Sequence, residues 1–84
     1  MSDRRLQVFN AVAKHLSFTK AAEALFMTQP AVTFQIRQLE EQLNTRLFDR
    51  AQGRISLTFA GTIALEYADR ILARSEELDS RIRS

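Results

Sequence analysis

The sequence contains no cysteine, only two glycines, and a single proline and histidine among its 84 residues. Without cysteine there is no disulfide bond, no thiolate metal ligand and no cysteine nucleophile. Two glycines are too few for a glycine-rich phosphate loop, and so little glycine and proline argues against disorder or a turn-rich β protein. The one histidine, His15, has no carboxylate cluster at metal-ligand spacing. We therefore expect no metal, no cofactor and no catalytic residue.

Long apolar runs are also missing. No stretch approaches the ~20 apolar residues that span a bilayer. The first residues, MSDRRLQVF, lack the apolar segment of a signal peptide. Together with the absence of cysteine, which fits a reducing compartment, this predicts a cytoplasmic protein with no membrane partner.

Charge is unevenly distributed along the chain, although its net value is only +2. Up to Arg54 there are eight basic and five acidic residues, a balance of +3. From Ile55 onward there are four basic and five acidic residues, a balance of −1. The first two-thirds of the chain is therefore better suited to a polyanion than the tail.

The most informative stretch is TQPAVTFQIRQLEEQL, which predicts a helix from Thr28 to Leu43. Thr28 is a good N-cap, and Pro30 falls in the first turn, where its missing N–H costs little. Met27 and Val32 stand at the positions of a hydrophobic staple. Spacings of four, three and four predict one buried stripe, formed by Val32, Ile36, Leu39 and Leu43.

The opposite face of this helix suits a DNA major groove. At about 100° per residue, Phe34 and Arg37 point away from the stripe, with Thr33 beside them and Gln29 and Pro30 at the tip. Gln and Arg bond base edges or phosphates, and Thr and Phe contact thymine methyl groups. The acidic pair at positions 40 and 41 follows about two turns later, away from the entering end. The alternative is an ordinary amphipathic helix with a solvated polar face.

Two helices are predicted before this one. The first runs from Asp3 to His15, with an apolar side formed by Leu6, Phe9, Val12, Ala13 and Leu16. The second runs from Thr19 to Phe26, capped by Ser17 or Thr19, with Ala21, Ala22 and Leu25 turned inward. A short turn joins it to Thr28, which makes a helix-turn-helix.

The start of the second helix is a candidate phosphate site. Backbone N–H groups and the helix dipole favour an anion there, and three polar residues accompany them: Ser17, Thr19 and Lys20. Plain capping is the alternative, and it does not exclude phosphate contact. Near the N-terminus, Arg4 and Arg5 either contact phosphate or form a solvated end.

A β-hairpin, or wing, is predicted after a left-handed cap at Asn44. Leu47 to Arg50 and Ile55 to Leu57 are the strands, and residues 51–54 are the turn. Arg54, beside Gly53, is placed to enter a minor groove, where arginine is favoured; the alternative is a solvated loop arginine. Arg46 and Arg50 either contact phosphate or pair with an acidic side chain, and the sequence favours neither.

The last helix is predicted to start at the Thr58 cap and to continue to the end of the chain. Apolar positions spaced 4, 3, 4, 3 and 4 form a coiled-coil seam with one polar interruption: Ala64, Ala68, Ile71, Ser75, Leu78 and Ile82. A single helix with such a seam needs a mate, which we expect to be a second copy of the chain. The alternative is a helix folded onto its own domain, which would cover the first half of the seam better than its end.

The predicted fold is therefore mainly α. It is a winged helix-turn-helix of three helices and a small β-hairpin over residues 1–57, followed by a long dimerising linker helix over residues 58–84. The function that this pattern favours is dimeric, sequence-specific binding of double-stranded DNA. The alternative is a helical dimerisation or protein-interaction module that does not bind DNA.

The run AAEALFMTQPAVTFQIRQLEEQLNTRLFDRAQGRISLTFAG resembles the DNA-binding domain of LysR-type transcriptional regulators. With the flanking helices, the resemblance covers essentially the whole chain. It implies a winged helix-turn-helix, a dimerising linker helix, and binding to interrupted inverted repeats that we expect to be AT-rich. A small-molecule effector is implied only for a C-terminal domain absent from this sequence.

Carried over by position, the resemblance assigns groove-facing roles to Gln29, Pro30, Thr33 and Phe34, and a minor-groove role to Arg54. Position 34 is commonly basic in the family, whereas phenylalanine cannot bond a guanine or a phosphate. We therefore expect thymine opposite Phe34. Asn44 stands where glycine is frequent, and Phe59 where proline is frequent.

Overall fold

The computed structural model describes residues 3–84, with side chains from position 4 onward. It contains four helices and one two-stranded hairpin in the described range: α1 (Asp3–His15), α2 (Phe18–Leu25), α3 (Gln29–Leu43), β1 (Phe48–Ala51), β2 (Arg54–Leu57) and α4 (Phe59–Arg83). This is the mainly helical, winged helix-turn-helix fold that the sequence predicts. Within residues 3–84, no helix combines the length and the apolar character that crossing a bilayer requires.

Helix α1 is central, because it packs against α2, α3 and α4. Being covered on several sides, it buries Val8 as well as the predicted stripe. The prediction that Leu16 shares this apolar side was wrong. Helix α1 ends at His15, Leu16 takes a left-handed backbone with φ 49°, and its side chain is about half exposed.

Helix α2 begins and ends one residue earlier than predicted. Ser17 is the N-cap, and its hydroxyl accepts a hydrogen bond from the Lys20 N–H at 3.0 Å. Ala21 and Ala22 are buried, as predicted. Phe26 is not helical but forms a left-handed C-cap with φ 56°, and its side chain is 97% exposed.

Helix α3 follows the cap signals in its sequence. The Thr28 hydroxyl accepts from the Ala31 N–H at 3.3 Å, and Asn44 closes the helix in the left-handed region. Val32, Ile36 and Leu39 are buried, but the prediction for Leu43 was wrong. That residue lies one turn past the last buried position, where residues 41–46 are all exposed.

The wing has a tighter turn than predicted. Its strands pair antiparallel from Phe48 with Leu57 to Ala51 with Arg54. Only Gln52 and Gly53 remain as the turn, with φ values of 54° and 74°, as in the two-residue hairpin turns that match strand twist. Ala51 and Arg54, predicted to lie in the turn, are strand residues because they pair with each other.

The wing is fixed to the helical body at its base. The Leu47 N–H donates to the Glu40 carboxylate at 2.8 Å, and the Leu47 carbonyl accepts from the Thr58 N–H at 3.0 Å. The Phe48 ring is buried between two aromatic rings, 5.4 Å from Phe9 and 6.0 Å from Phe18. These contacts hold the hairpin at a defined angle to α3.

Helix α4 begins at the Thr58 cap, whose hydroxyl accepts from the Gly61 N–H at 2.9 Å. Its first half packs on α1, where Asp69 accepts hydrogen bonds from Asn10 at 2.5 Å and Lys14 at 3.4 Å. Ala68 is therefore only 1% exposed and is not available to a second chain. The first half of α4 is therefore folded onto its own domain, which was the alternative prediction. Three further residues of α4 also pack against the core: Ala64, Leu65 and Leu72.

The left-handed Phe26 gives a stability prediction. A bulky side chain is unfavourable at positive φ, and this one makes little contact that its removal would lose. Phe26→Gly should raise the free energy of unfolding by about 1 kcal/mol. Urea denaturation measures the change. Asn44→Gly is the matched control and should gain less, because asparagine already tolerates this conformation; a Phe26→Gly protein less stable than the parent would contradict the prediction.

Candidate nucleic-acid interface

The outward face of α3 presents polar and aromatic side chains to solvent. Gln29, Pro30 and Arg37 are exposed, Phe34 is 58% exposed, and Thr33 is half-buried. On the other side of the helix, Val32 and Ile36 are 0% and 3% exposed. The helix is thus oriented as the sequence predicts, with its chemically varied side available to a ligand.

A first groove lies where the start of α2, the tip of α3 and the wing meet. Its lining includes five polar or basic residues: Ser17, Thr19, Gln29, Arg50 and Arg54. Three parts of the chain that the sequence analysis assigned separately to nucleic acid therefore converge on one surface. Lys20 is exposed on α2 but does not line this groove.

A second groove runs between α3 and β1. It is lined by Gln29, Thr33, Arg37, Arg46 and Arg50, among others. Arg46 donates to the Phe48 carbonyl at 3.4 Å, which keeps its side chain near the base of the wing. The two grooves share Gln29 and Arg50, so they form one continuous basic surface beside the first turns of α3.

Among residues 4–84, no acidic side chain forms an ion pair with the arginines of this surface. Glu40 borders the second groove, but its carboxylate accepts from the Leu47 N–H. Glu41 lies farther along α3, beside Asn44 and Thr45. The acidic end of α3 is therefore separated from the helix tip, which leaves the tip accessible to a polyanion.

The remaining predicted residues fall outside the grooves. Thr28, Pro30 and Phe34 are exposed near the tip but line neither groove. The Arg5 guanidinium donates to Gln35 at 3.4 Å and Gln42 at 3.0 Å, so it braces α3 against α1.

Arg46 and Arg50 are the residues that sequence reasoning left undecided. The position of Arg50 depends on Phe18, because its guanidinium carbon lies 4.7 Å from the centre of that ring. Phe18 and Arg50 are 32 positions apart in the sequence, and no local sequence pattern signals their contact. The sequence did contain one signal for Arg50, namely a basic residue that lies two positions before a tight turn.

A helix-turn-helix with an exposed polar face and a basic wing beside it defines the winged helix-turn-helix class of proteins. The family model described as "Bacterial regulatory helix-turn-helix protein, lysR family" matches residues 4–62. The chain belongs to this family, as the resemblance in its sequence indicated.

Curated relatives agree with this assignment. The chain is 49% identical over 73 residues to a probable RuBisCO transcriptional regulator of Cyanidioschyzon merolae, covering 87% of this chain and 24% of the relative. It is 42% identical over 81 residues to the HTH-type transcriptional regulator CfxR of Cupriavidus necator, covering 96% of this chain and 26% of the relative. The chain thus spans about a quarter of the length of these relatives.

Solved structures share the whole architecture. The CbnR DBD–DNA complex superposes with a TM-score of 0.93 at 38% identity, covering 99% of this chain and 95% of that chain. The BenM DBD–catB site 1 DNA complex superposes with a TM-score of 0.94 at 35% identity, covering 99% and 93%. Both neighbours were crystallised with DNA.

Proposed function

We propose that this chain is the dimeric, sequence-specific double-stranded DNA-binding module of a LysR-type transcriptional regulator. The observation that carries the proposal is the convergence of the α3 tip, the start of α2 and the wing on one basic surface. Family membership and the DNA-bound neighbours support it over the alternative of a module that only binds protein.

Helix α3 enters the major groove by its N-terminal end. Gln29 and Thr33 are positioned to bond base edges, and Arg37, one turn beyond Thr33, is positioned for a phosphate or a guanine. Pro30 and Phe34 contribute apolar contact. Because Phe34 has no hydrogen-bond donor, it favours a thymine methyl group. The proposed site is AT-rich, which is compatible with this preference.

Phosphates flank the reading helix on the side of α2. Thr19 and Lys20 are exposed at the start of that helix, where N–H groups and the helix dipole favour an anion. The Ser17 and Thr28 hydroxyls act as caps by accepting from backbone N–H groups. Each hydroxyl retains its own proton to donate to a phosphate oxygen.

The wing carries Arg54 into the adjacent minor groove. Pairing with Ala51 fixes Arg54 directly beside the two-residue turn, and its side chain is exposed. The minor groove of an AT-rich segment is narrow and strongly negative, which attracts arginine.

A second copy of the chain covers the distal half of α4. Three apolar residues of the proposed interface are exposed there, at 43%, 65% and 77%: Ile71, Leu78 and Ile82. Ser75 lies on the same face, whereas Ala64, in the first half of α4, is partly buried against the core of its own domain. Two-fold pairing of these helices would present two α3 tips to an interrupted inverted repeat.

In the longer regulator, a separate C-terminal domain binds the small-molecule effector. We propose that this chain binds DNA and catalyses no reaction. We also propose a cytoplasmic location, where such a regulator would bind its DNA. We propose no cofactor for residues 1–84.

Fluorescence anisotropy with an AT-rich duplex at two salt concentrations tests DNA binding. A protein that neutralises phosphates loses affinity steeply as salt rises, so a strong salt dependence is expected. Arg54→Ala should weaken binding roughly tenfold on most sequences, whereas Phe34→Ala or Thr33→Ala should change which sequence is preferred. Absence of binding at low salt would refute the function, and a Phe34→Ala protein with unchanged affinity and preference would refute the role of that residue.

A further inference from the structure

The Arg50 guanidinium lies over a buried aromatic ring. Its carbon lies 4.7 Å from the centre of the Phe18 ring, and Phe18 is 6% exposed. Phe18 in turn contacts the buried Phe48 edge-on at 6.0 Å, and Phe48 contacts Phe9 at 5.4 Å. Because this row of rings continues into the core, the surface beneath Arg50 has little freedom to move.

Within the described part of the chain, the charge of Arg50 has no neutralising partner. Among the described side chains, no carboxylate forms an ion pair with it, and the four ion pairs present involve other basic residues. Asp49 is its neighbour in β1, but successive strand residues point to opposite faces of the hairpin. Arg50 is exposed, and the cation–π contact with Phe18 favours one position of its guanidinium over the others.

The location of Arg50 is between the two parts of the molecule that read DNA. Arg50 lines both grooves. It lies beside Gln29 and Arg54 in the first groove and beside Thr33 and Arg37 in the second. The guanidinium is planar, and its N–H donors are directed in the plane of the group. A planar fork of donors matches a pair of phosphate oxygens, and Arg50 lies between the side chains proposed to contact the major groove and Arg54, which is proposed to enter the minor groove.

We propose that Arg50 is a preorganised phosphate anchor for the DNA backbone that passes between the major groove read by α3 and the minor groove entered by Arg54. Phe18 is its positioning residue. Stacking restricts the long arginine side chain before DNA arrives, so less conformational entropy is lost on binding. The inference rests on the proposed DNA-binding function and adds to it the residue that joins the helix contact to the wing contact.

Salt-dependent binding to two duplexes of different sequence tests the anchor. Arg50→Gln should lower affinity about five- to tenfold on both duplexes and reduce the slope of log K against log salt by about 1. Arg70→Gln also removes one positive charge, from an exposed residue of α4 that lines neither groove and lies outside the proposed dimer face, and should leave affinity and slope unchanged.

A double-mutant cycle tests the role of Phe18. Phe18→Leu keeps the arginine charge, so the salt slope should persist while affinity falls about two- to threefold. In the Arg50→Gln background the same substitution should have no further effect on affinity, because the group that it positions is gone. Arg50→Lys provides a second measurement that leaves the core intact; it keeps the charge but loses the planar stack, so affinity should again fall with the slope retained.

The outcomes separate this inference from the proposed function. Strong, salt-dependent binding by the parent together with an Arg50→Gln protein of equal affinity and slope would overturn the anchor and leave the function intact. Loss of affinity on only one duplex would also overturn it, since a phosphate contact carries no sequence information. A parent chain that binds neither duplex would overturn both.

Discussion

Gly61→Ala should lower the free energy of unfolding by about 3 kcal/mol, although alanine is normally the better helix residue. A Cβ atom at position 61 would overlap the Leu47 carbonyl oxygen and lie 2.9 Å from the Leu57 Cδ2 atom. The side chain of Leu57 can rotate, but the carbonyl belongs to the backbone. It is also held by the Thr58 N–H, so relief of the overlap requires α4 to move away from the base of the wing.

Equilibrium urea unfolding, followed by circular dichroism, measures this loss. Gly53→Ala is the matched control, because that glycine has a φ of 74° and a Cβ atom added to it would meet no atom within 4 Å. It should cost only about 1 kcal/mol, from backbone conformation alone. A Gly61→Ala protein as stable as the parent would mean that α4 approaches the wing less closely than the structure has it.

Leu78→Glu should convert the proposed dimer to monomers, raising its dissociation constant at least about 100-fold, or roughly 3 kcal/mol. Leu78 is 65% exposed on the single chain, and Ile82, one turn later, is 77% exposed. In a pair of α4 helices both would be covered, so a carboxylate at position 78 would lose its hydration without gaining a partner. The single chain itself should remain folded, because Leu78 contributes nothing to the core.

Sedimentation velocity over a range of protein concentrations measures the effect on association. Ser80→Glu is the matched control, since it adds the same charge two residues away on the opposite side of α4. It should leave the dimer intact. A Leu78→Glu protein that sediments like the parent at every concentration would refute the interface.

Features that depend on neighbours in sequence were predictable from the residues alone. The caps at Thr28, Asn44 and Thr58 were confirmed because each acts through backbone groups within three or four residues. The orientation of α3 was likewise predictable from apolar spacing, because one strong stripe has one way to face the core.

Features that depend on where an element ends or what packs on it were not predictable. Leu16 and Leu43 continue the apolar spacing of their helices, yet α1 ends before Leu16 and α3 leaves the core before Leu43. The small side chain of Ala68 suits a seam between two chains as well as it suits a contact with α1, so its size does not distinguish between these two environments. Arg50 required knowledge of Phe18, which only the tertiary fold brings beneath it.

The contacts of Asp69 with Asn10 and Lys14 have a consequence for the spacing of the two proposed DNA half-sites. They fix the winged helix-turn-helix to the 25-residue helix α4 through packed helices instead of a flexible linker. In the proposed dimer, the rotation of one winged helix-turn-helix relative to the other is then fixed by the number of residues between that domain and the paired part of α4. One residue inserted before Leu78 would turn each unit by about 100° and displace it by about 1.5 Å, so the pair would no longer address the same side of the duplex.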